Sequence, residues 1–525
     1  MSGLIQHADA ATSVSQFGFT WSFSADKTVG QYANGDWWVV GPVTITSISP
    51  ACTTDSSGWT RNGTEVNPAP GTIQPGQGFD SSVHTGAWWY PPLNVAPGFT
   101  GSPLVAAAGT SVVSTISAST PDANPNDAIP QIAAGAVLTV VASAPAAGSF
   151  RPPMVGNDKT HYWNKANLNY GILQKLAPVA TTPSLASMES NFERPWFFLK
   201  EGPSIQSMSP AANMPDYGRD QAHVISQGML SLHLNYTDAQ KETLYIRLVQ
   251  MGIDVYGSTK AGMIWTDDGG QNPGRKELMV LAAMAFNDTN ILGWCDGAAH
   301  LVFPEDRQTF YVTQADVGRV MYTGDGRPRD TYTQSMVGMP EWGERHTSDP
   351  AQDASNWASA YYRWVGGSWQ GAILAVKLIP GAVTVWNRPV IFAYADRYWS
   401  KEYPVQSFSP PGAITQFVYD MWKAYGTGTV VDPPPPPPAV VPFAIGDRIK
   451  TLNDTNVRAS GTLAGTLLGT QLKGSFGTII AGPVLMDNFT WWQVNYDNGA
   501  DGWSGEDNFI KQTPPSAPQG VKAGP

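Results

Sequence analysis

The hydrophobic and polar positions change rhythm along the chain. From residue 1 to about 150, short β-branched and aromatic runs alternate with turn residues. "GQYANGDWWVVGPVTITSISP" is split by Asn-Gly and Gly-Pro, which are hairpin and turn signals. "AWWYPPLNV", "SPLVAAAGTSVVSTIS" and "GAVLTVVASAP" continue the pattern. The expectation is a β-sandwich-like domain over 1–150. Trp37, Trp38, Trp88, Trp89 and Tyr90 suit either core packing or a ring platform for sugars, because a flat aromatic face stacks on the apolar face of a pyranose.

From about 151 the period becomes helical. "YGRDQAHVISQGMLSLHL" sets Ile225, Gly228, Met229 and Leu232 on one face, and "TDAQKETLYIRLVQMGIDVYG" opens on a Thr cap and spaces Leu244, Leu248, Met251 and Val255 likewise. "GRKELMVLAAMAF" is apolar nearly all round, the mark of a buried helix. "DASNWASAYYRW", "SWQGAILAVKLI" and "NRPVIFAYADRYW" add further helices, with helical openings also expected at "THYWNKANLNY" and an element near "TQADVGRVMY". Repeated helices of this size predict an (α/α) toroid over 151–428. A Pro-rich linker spans 429–442, where Pro433 to Pro438 form a stiff spacer. A compact β segment spans 443–512, and 513–525 is expected to be disordered. The expected fold class is thus multidomain α+β.

Composition narrows the setting. Only 14% of residues are charged, while Gly, Pro and Trp are abundant, which favours a β-rich extracellular or virion-type protein. The net charge of −11 is uneven: residues 1–150 carry Lys27 and Arg61 against eight acids, whereas the middle of the chain is nearly balanced. With no basic stripe, nucleic acid is a poor partner. No run approaches a membrane span. Cys52 and Cys295 suggest neither a disulfide nor a zinc site, and no cofactor or metal is expected. The start lacks a signal-peptide pattern, so the expectation is a secreted chain whose signal has been removed, or a phage virion-associated one.

Candidate chemistry collects at expected helix starts, which carry partial positive charge. These are His161, Tyr162 and Asn164; Tyr217 and Arg219; Trp265, Gln271, Asn272, Arg275 and Lys276; and Trp342, Arg345 and His346 in "GMPEWGERHTSDP". Arginine holds a carboxylate bidentately, and Trp, Tyr and Asn suit a sugar, so the set points to an anionic polysaccharide. The fitting reaction is β-elimination from a uronic acid. A cation stabilises the enolate-like state, while His or Tyr moves the protons. His346, Tyr217, Arg219 and Arg345 are the catalytic candidates, and the others bind substrate. Arg219 equally suits a bridge to Asp216 or Asp220, and His346 a helix cap. A glycoside hydrolase using Glu341 or Glu344 with Asp267 or Asp268, and a non-catalytic glycan-binding adhesin, stay open.

Two resemblances go further. "DYGRDQAH", "VQMGIDVYG", "GGQNPGRKE", "RQTFYV" and "PEWGERH" resemble the helical-toroid polysaccharide lyases of the alginate and glucuronan type, over roughly residues 15–425. That implies a groove lined by His or Asn, Tyr and Arg. "HYW" at 161–163 is similar to an element of some alginate lyases, but Lys159 and Thr160 stand where two Asn usually do. "NVRAS", "LLGTQLKGSFGTII", "WWQVNYDNG" and "GWSGEDNFI" resemble a bacterial SH3-like barrel. That resemblance implies a glycan- or cell-wall-binding module, with Trp491, Trp492, Tyr496 and Trp503 as contacts.

Overall fold

The computed structural model describes residues 9–71, 76–83, 87–119, 131–202, 204–267, 269–318, 321–322, 328–329, 331–343, 365–405, 414–426, 443–487 and 489–512. The chain divides into two compact units, Met1–Pro434 and Pro435–Pro525. The architecture is mixed α+β, with a curled sheet in the first unit and a separate antiparallel sheet in the second.

The first sheet has eight strands: β1 (Asp9–Gln16), β2 (Phe19–Gln31), β3 (Trp37–Val40), β4 (Val43–Ser49), β5 (Thr64–Val66), β6 (Leu104–Ala106), β7 (Thr110–Ser117) and β8 (Ile132–Val141). Their order is β6-β4-β2-β3-β8-β7-β5, with β1 also on β2, and only β3 and β8 run parallel. Where the sequence predicts a sandwich, one sheet curls on itself. Its concave side is filled by Trp21, Phe23, Ile45, Val112 and Leu138, and Trp21 Nε1 donates to Ser114 Oγ at 3.1 Å. Side chains alternate along a strand, so Val113 and Val137 face the other way, and the register shift where Ile116 pairs with Ala134 but Ser117 with Ile132 puts Ile132 with them. There they share a core with Met154, Phe197 and Leu199. β8 is therefore buried on both faces, which is why "IAAGAVLTVV" is apolar at every position but Thr139. The same packing carries one core across the boundary expected at 150.

Among the described residues, the helices that follow include α1 (Gly218–Leu232), α2 (Asp238–Lys260), α3 (Arg275–Phe286), α4 (Thr289–Cys295), α5 (Gln370–Leu378), α6 (Pro389–Val405) and α7 (Gln416–Tyr425). α2 opens as its sequence predicts. Thr237 accepts from Gln240 N and the Gln240 side chain returns to the Thr237 N–H, a reciprocal cap. α3 is apolar on every side because α2, α4 and α5 all pack on it, in a core that also holds α1, α6 and α7.

Two expected elements differ. "THYWNKANLNY" forms two single 3-10 turns, Lys165–Asn167 and Tyr170–Ile172, because the Asn164 and Asn169 side chains take the N–H groups of Ala166 and Gly171. "TQADVGRVMY" forms a 3-10 turn at Gln314–Asp316 and a short strand, Met321–Tyr322. The expected helix in "DASNWASAYYRW", the linker and the tail lie outside the described residues.

The second unit has seven strands: β9 (Arg448–Thr451), β10 (Thr455–Arg458), β11 (Leu467–Gln471), β12 (Phe476–Met486), β13 (Phe489–Tyr496), β14 (Gly502–Gly505) and β15 (Phe509–Lys511). They lie in the order β11-β10-β14-β13-β12-β9-β15 around a small core of Ile449, Val457, Ile479, Val494 and Phe509.

Candidate functional site

The first unit holds a cleft of ≈ 410 Å³ between the segment 153–163 and the last turns of α2, with Asn290 of α4 at its edge. The segment is clamped from beneath. Arg151 is fully buried, with Nε 2.6 Å from Asp36 Oδ2 and Nη2 2.5 Å from Asp254 Oδ2 of α2. Burial opposes its charge, and the two carboxylates outweigh burial and raise its pKa. Asp254 Oδ1 also accepts from Met154 N at 3.0 Å, and the Gln250 amide bonds both the N–H and the C=O of Arg151. Gly257 permits the close approach, since a Cβ there would lie 2.1 Å from Pro153 Cβ. Buried Lys159 completes the clamp by donating to Pro153 O and Val155 O. Burial, then repulsion from Arg151, lowers its pKa to about 7.

His161 stands on this clamped strip with its side chain 54% exposed. Its Nε2 lies 3.4 Å from Asp288 Oδ2, and its ring meets Trp163 edge-on at 4.3 Å. Asp288 is itself held by three donors. Trp163 Nε1 reaches Oδ2 at 3.0 Å, and Asn290 N and Ile291 N reach Oδ1 at 2.9 and 3.1 Å, which caps α4. Opposite, Lys260 Nζ lies 5.8 Å from the Tyr256 ring centroid and 3.2 Å from Asp158 Oδ2. Burial raises the Tyr256 pKa. The Asp158 bond raises the Lys260 pKa, while the Thr160 hydroxyl and N–H hold Asp158 down at about 2. The cleft thus offers a half-exposed imidazole, a phenol, an ammonium group, two carboxamides (Asn157 and Asn290) and the edge of an indole. That set can bind a polyol, neutralise an anion and move protons.

Of the residues expected to bind substrate, His161 alone lines the cleft. Tyr162 stacks on Tyr32 at 6.5 Å, and Asn164 caps a turn and donates to Ala147 O. Arg275, Lys276, Trp265, Asn272 and Trp342 are buried, which corrects their reading as groove residues. Arg275 donates to Gln221 Oε1 and Pro273 O, and Lys276 Nζ pairs with Asp306 Oδ2 at 2.5 Å with both side chains fully buried. Asn272 binds Gly202 N and the Thr266 carbonyl and hydroxyl. Trp265 stacks with Phe303 at 6.2 Å, and Trp342 packs on Trp369 at 6.4 Å. These side chains serve packing because α3 is covered on all sides.

The starts of α1 and α3 do meet. Gly218 has no Cβ to strike the carbonyl of half-buried Gln271, and Gly270 lies against the Tyr217 hydroxyl. Arg219 takes its structural alternative, with Nε 2.8 Å from Asp220 Oδ1 and its guanidinium over the Tyr217 ring at 5.2 Å. Arg345, His346, Glu344 and Asp268 lie outside the described residues. Glu341 is buried against Arg397 at 2.6 Å, and Asp267 pairs with Arg307 at 2.6 Å.

In the second unit, Trp491, Trp492 and Tyr496 are buried, which corrects their assignment as surface contacts. Trp492 Nε1 donates to Glu506 Oε2 at 2.7 Å and Tyr496 OH to Ser504 Oγ at 3.0 Å, while Trp503 is half-buried.

Sequence reasoning missed Tyr256, Lys260, Asp158 and Asp288. The one available signal was "NDTN", where Asp288 reads as a helix cap and nothing more. Among the described residues no helix is long and apolar enough to cross a membrane, and no group of three His, Cys, Asp or Glu residues could hold a metal. Compared with protein families, curated proteins and solved structures, the chain matches none. The lyase and SH3-like resemblances therefore rest on the quoted motifs alone.

Proposed function

We propose that the first unit is a polysaccharide lyase acting on a uronate-containing glycan and that the cleft at His161 is its active site. The observation that carries this reading is a half-exposed imidazole, 3.4 Å from Asp288, sharing one cleft with Tyr256 and Lys260. His161 Nδ1 removes the proton alpha to the uronate carboxylate. That electron pair forms the ring double bond, the glycosidic C–O bond beta to the carboxylate breaks, and Tyr256 OH protonates the departing oxygen. Lys260 faces the carboxylate as its charge spreads into the enolate-like state. Lys260 and Asp158 are both about half exposed, so an incoming carboxylate can displace Asp158 from the ammonium group.

The toroid belongs to the same proposal, supported by the packing of α1, α2, α3 and α5 around one core. So does an SH3-like binding role for the second unit, supported by the quoted motifs and its small antiparallel sheet. A secreted or virion setting follows from an extracellular polymer as substrate.

The test is ultraviolet absorbance on incubation with alginate, glucuronan and hyaluronan. An unsaturated uronate forms with the intact chain and not with His161→Ala. New reducing ends without that absorbance indicate hydrolysis, and retention on the polymer with neither signal indicates binding alone. Either result refutes the lyase.

A further inference from the structure

Away from the cleft, the short strand Trp88–Trp89 runs parallel to Gly76–Gln77 and leads into an extended Tyr90. In an extended chain residues i and i+2 project to the same side, about 7 Å apart. Trp88 and Tyr90 do so, and both rings are mainly exposed, at 64% and 54%. Trp89 points the other way and packs edge-on against Phe99 at 5.9 Å. Neither Trp88 nor Tyr90 stacks on another described ring.

The mount is stiff. Tyr90 N donates to Gln77 O at 2.7 Å, and the Gln77 side chain is buried and bonded to the backbone of Phe79 and Asp80. Lys200 Nζ holds Gly76 O at 2.8 Å, and Pro91 and Pro92 fix the exit of the chain. From Ala87 to Gly109 the chain carries no charged side chain. The surface therefore offers two pre-set rings in a neutral setting. Lys200, the cation that reaches Gly76 O, is buried, and the stretch 87–109 supplies neither a cation for a phosphate or anionic lipid surface nor the charged rim that usually surrounds a protein interface. The occupant that fits is the C–H face of a pyranose, which is uncharged even in a uronate.

We propose that Trp88 and Tyr90 form a second saccharide-binding surface, an aromatic platform that holds the polymer while the His161 cleft acts on it. This rests on the lyase reading for its polymer and stands apart from it in its test. The protein is run in native gels cast with alginate, glucuronan or hydroxyethylcellulose. The intact chain and His161→Ala are retarded in at least one polymer, and the double variant Trp88→Ala, Tyr90→Ala is retarded at least about tenfold less, as loss of ring contacts worth roughly 1 kcal/mol each implies. The double variant still cleaves a short soluble uronate oligomer at the full rate. Trp88→Phe with Tyr90→Phe, which keeps both rings, retains most of the retardation, so a folding defect in the alanine variant is recognised. Equal retardation of the alanine variant and the intact chain overturns the platform. So does free migration of the intact chain in every gel, or a concentration-dependent dimer that disappears with the two rings while retardation persists. If His161→Ala is retarded and no variant cleaves, the platform stands and the lyase falls.

Discussion

Two regions of the first unit are built from the same residue types and do opposite things. Around the start of α3, Arg275, Lys276, Glu277, Glu305 and Asp306 are buried to 2% exposure or less. In the cleft, the side chains of His161, Asp158 and Lys260 are about half exposed. At α3 the ions neutralise one another. Lys276 answers Asp306, which also accepts from Trp386 Nε1 at 2.7 Å. Burial, with mutual repulsion, raises Glu277 well above the usual carboxylate range; Glu305 rises to about 7, chiefly through burial. In the cleft, charge is left facing water. A cluster of ionisable residues becomes a site when solvent and substrate can reach it; otherwise the same cluster is part of the core.

The sharpest way to break this contrast is Lys276→Met. It strands Asp306 in a dry interior, and the expected loss is about 3–5 kcal/mol of folding free energy, read from urea midpoints. A loss below 1 kcal/mol would show that the α3 cluster is hydrated. His161→Ala inverts the pattern. Cleavage falls roughly 10²–10⁴-fold, while the urea midpoint stays within about 0.5 kcal/mol of the intact chain. An equal rate would place the base elsewhere, with His346 the next candidate.

His233 sharpens the buried side of the comparison through pH. It accepts from Gln174 N at 3.1 Å through Nδ1, and burial, then Lys241, lowers its pKa to about 3. Between pH 6.5 and 3 the unfolded chain binds a proton that the folded chain refuses, so stability falls as pH drops through that window. At pH 5 the cost is about 2 kcal/mol relative to pH 8. His233→Gln should flatten the dependence, and an unchanged slope would exclude His233 as its source. The smallest effect belongs to Arg219→Ala. Its pair with Asp220 is partly exposed, so stability shifts by less than about 1 kcal/mol. Cleavage is unchanged, and a large rate loss would return substrate binding to the start of α1.

Much of the fold is legible in order along the chain. The Thr237 cap and the spacing from Leu244 to Val255 announce α2, and the even apolarity of "LMVLAAMAF" announces a helix covered on every side. The site is less legible. Asp158, His161, Tyr256, Lys260 and Asp288 come from three stretches of chain, and only His161 stands in a motif that singled it out. Cations at the start of α3 run against the helix dipole, and the compensating acids, Glu305 and Asp306, lie some thirty residues further on.

The amino-acid sequence by itself determined the local structure: the period-2 and helical segments, the Thr237 cap and the compact β segment near the end of the chain. These follow from interactions between residues a few positions apart. Only the tertiary structure decided that one curled sheet forms where a sandwich was expected, that Arg275 and Lys276 are core, that Trp491 and Trp492 pack inward, and that His161 meets Tyr256 across an open cleft. Burial and approach depend on contacts between residues tens to a hundred positions apart, and a linear pattern carries no record of which side chains end up facing water.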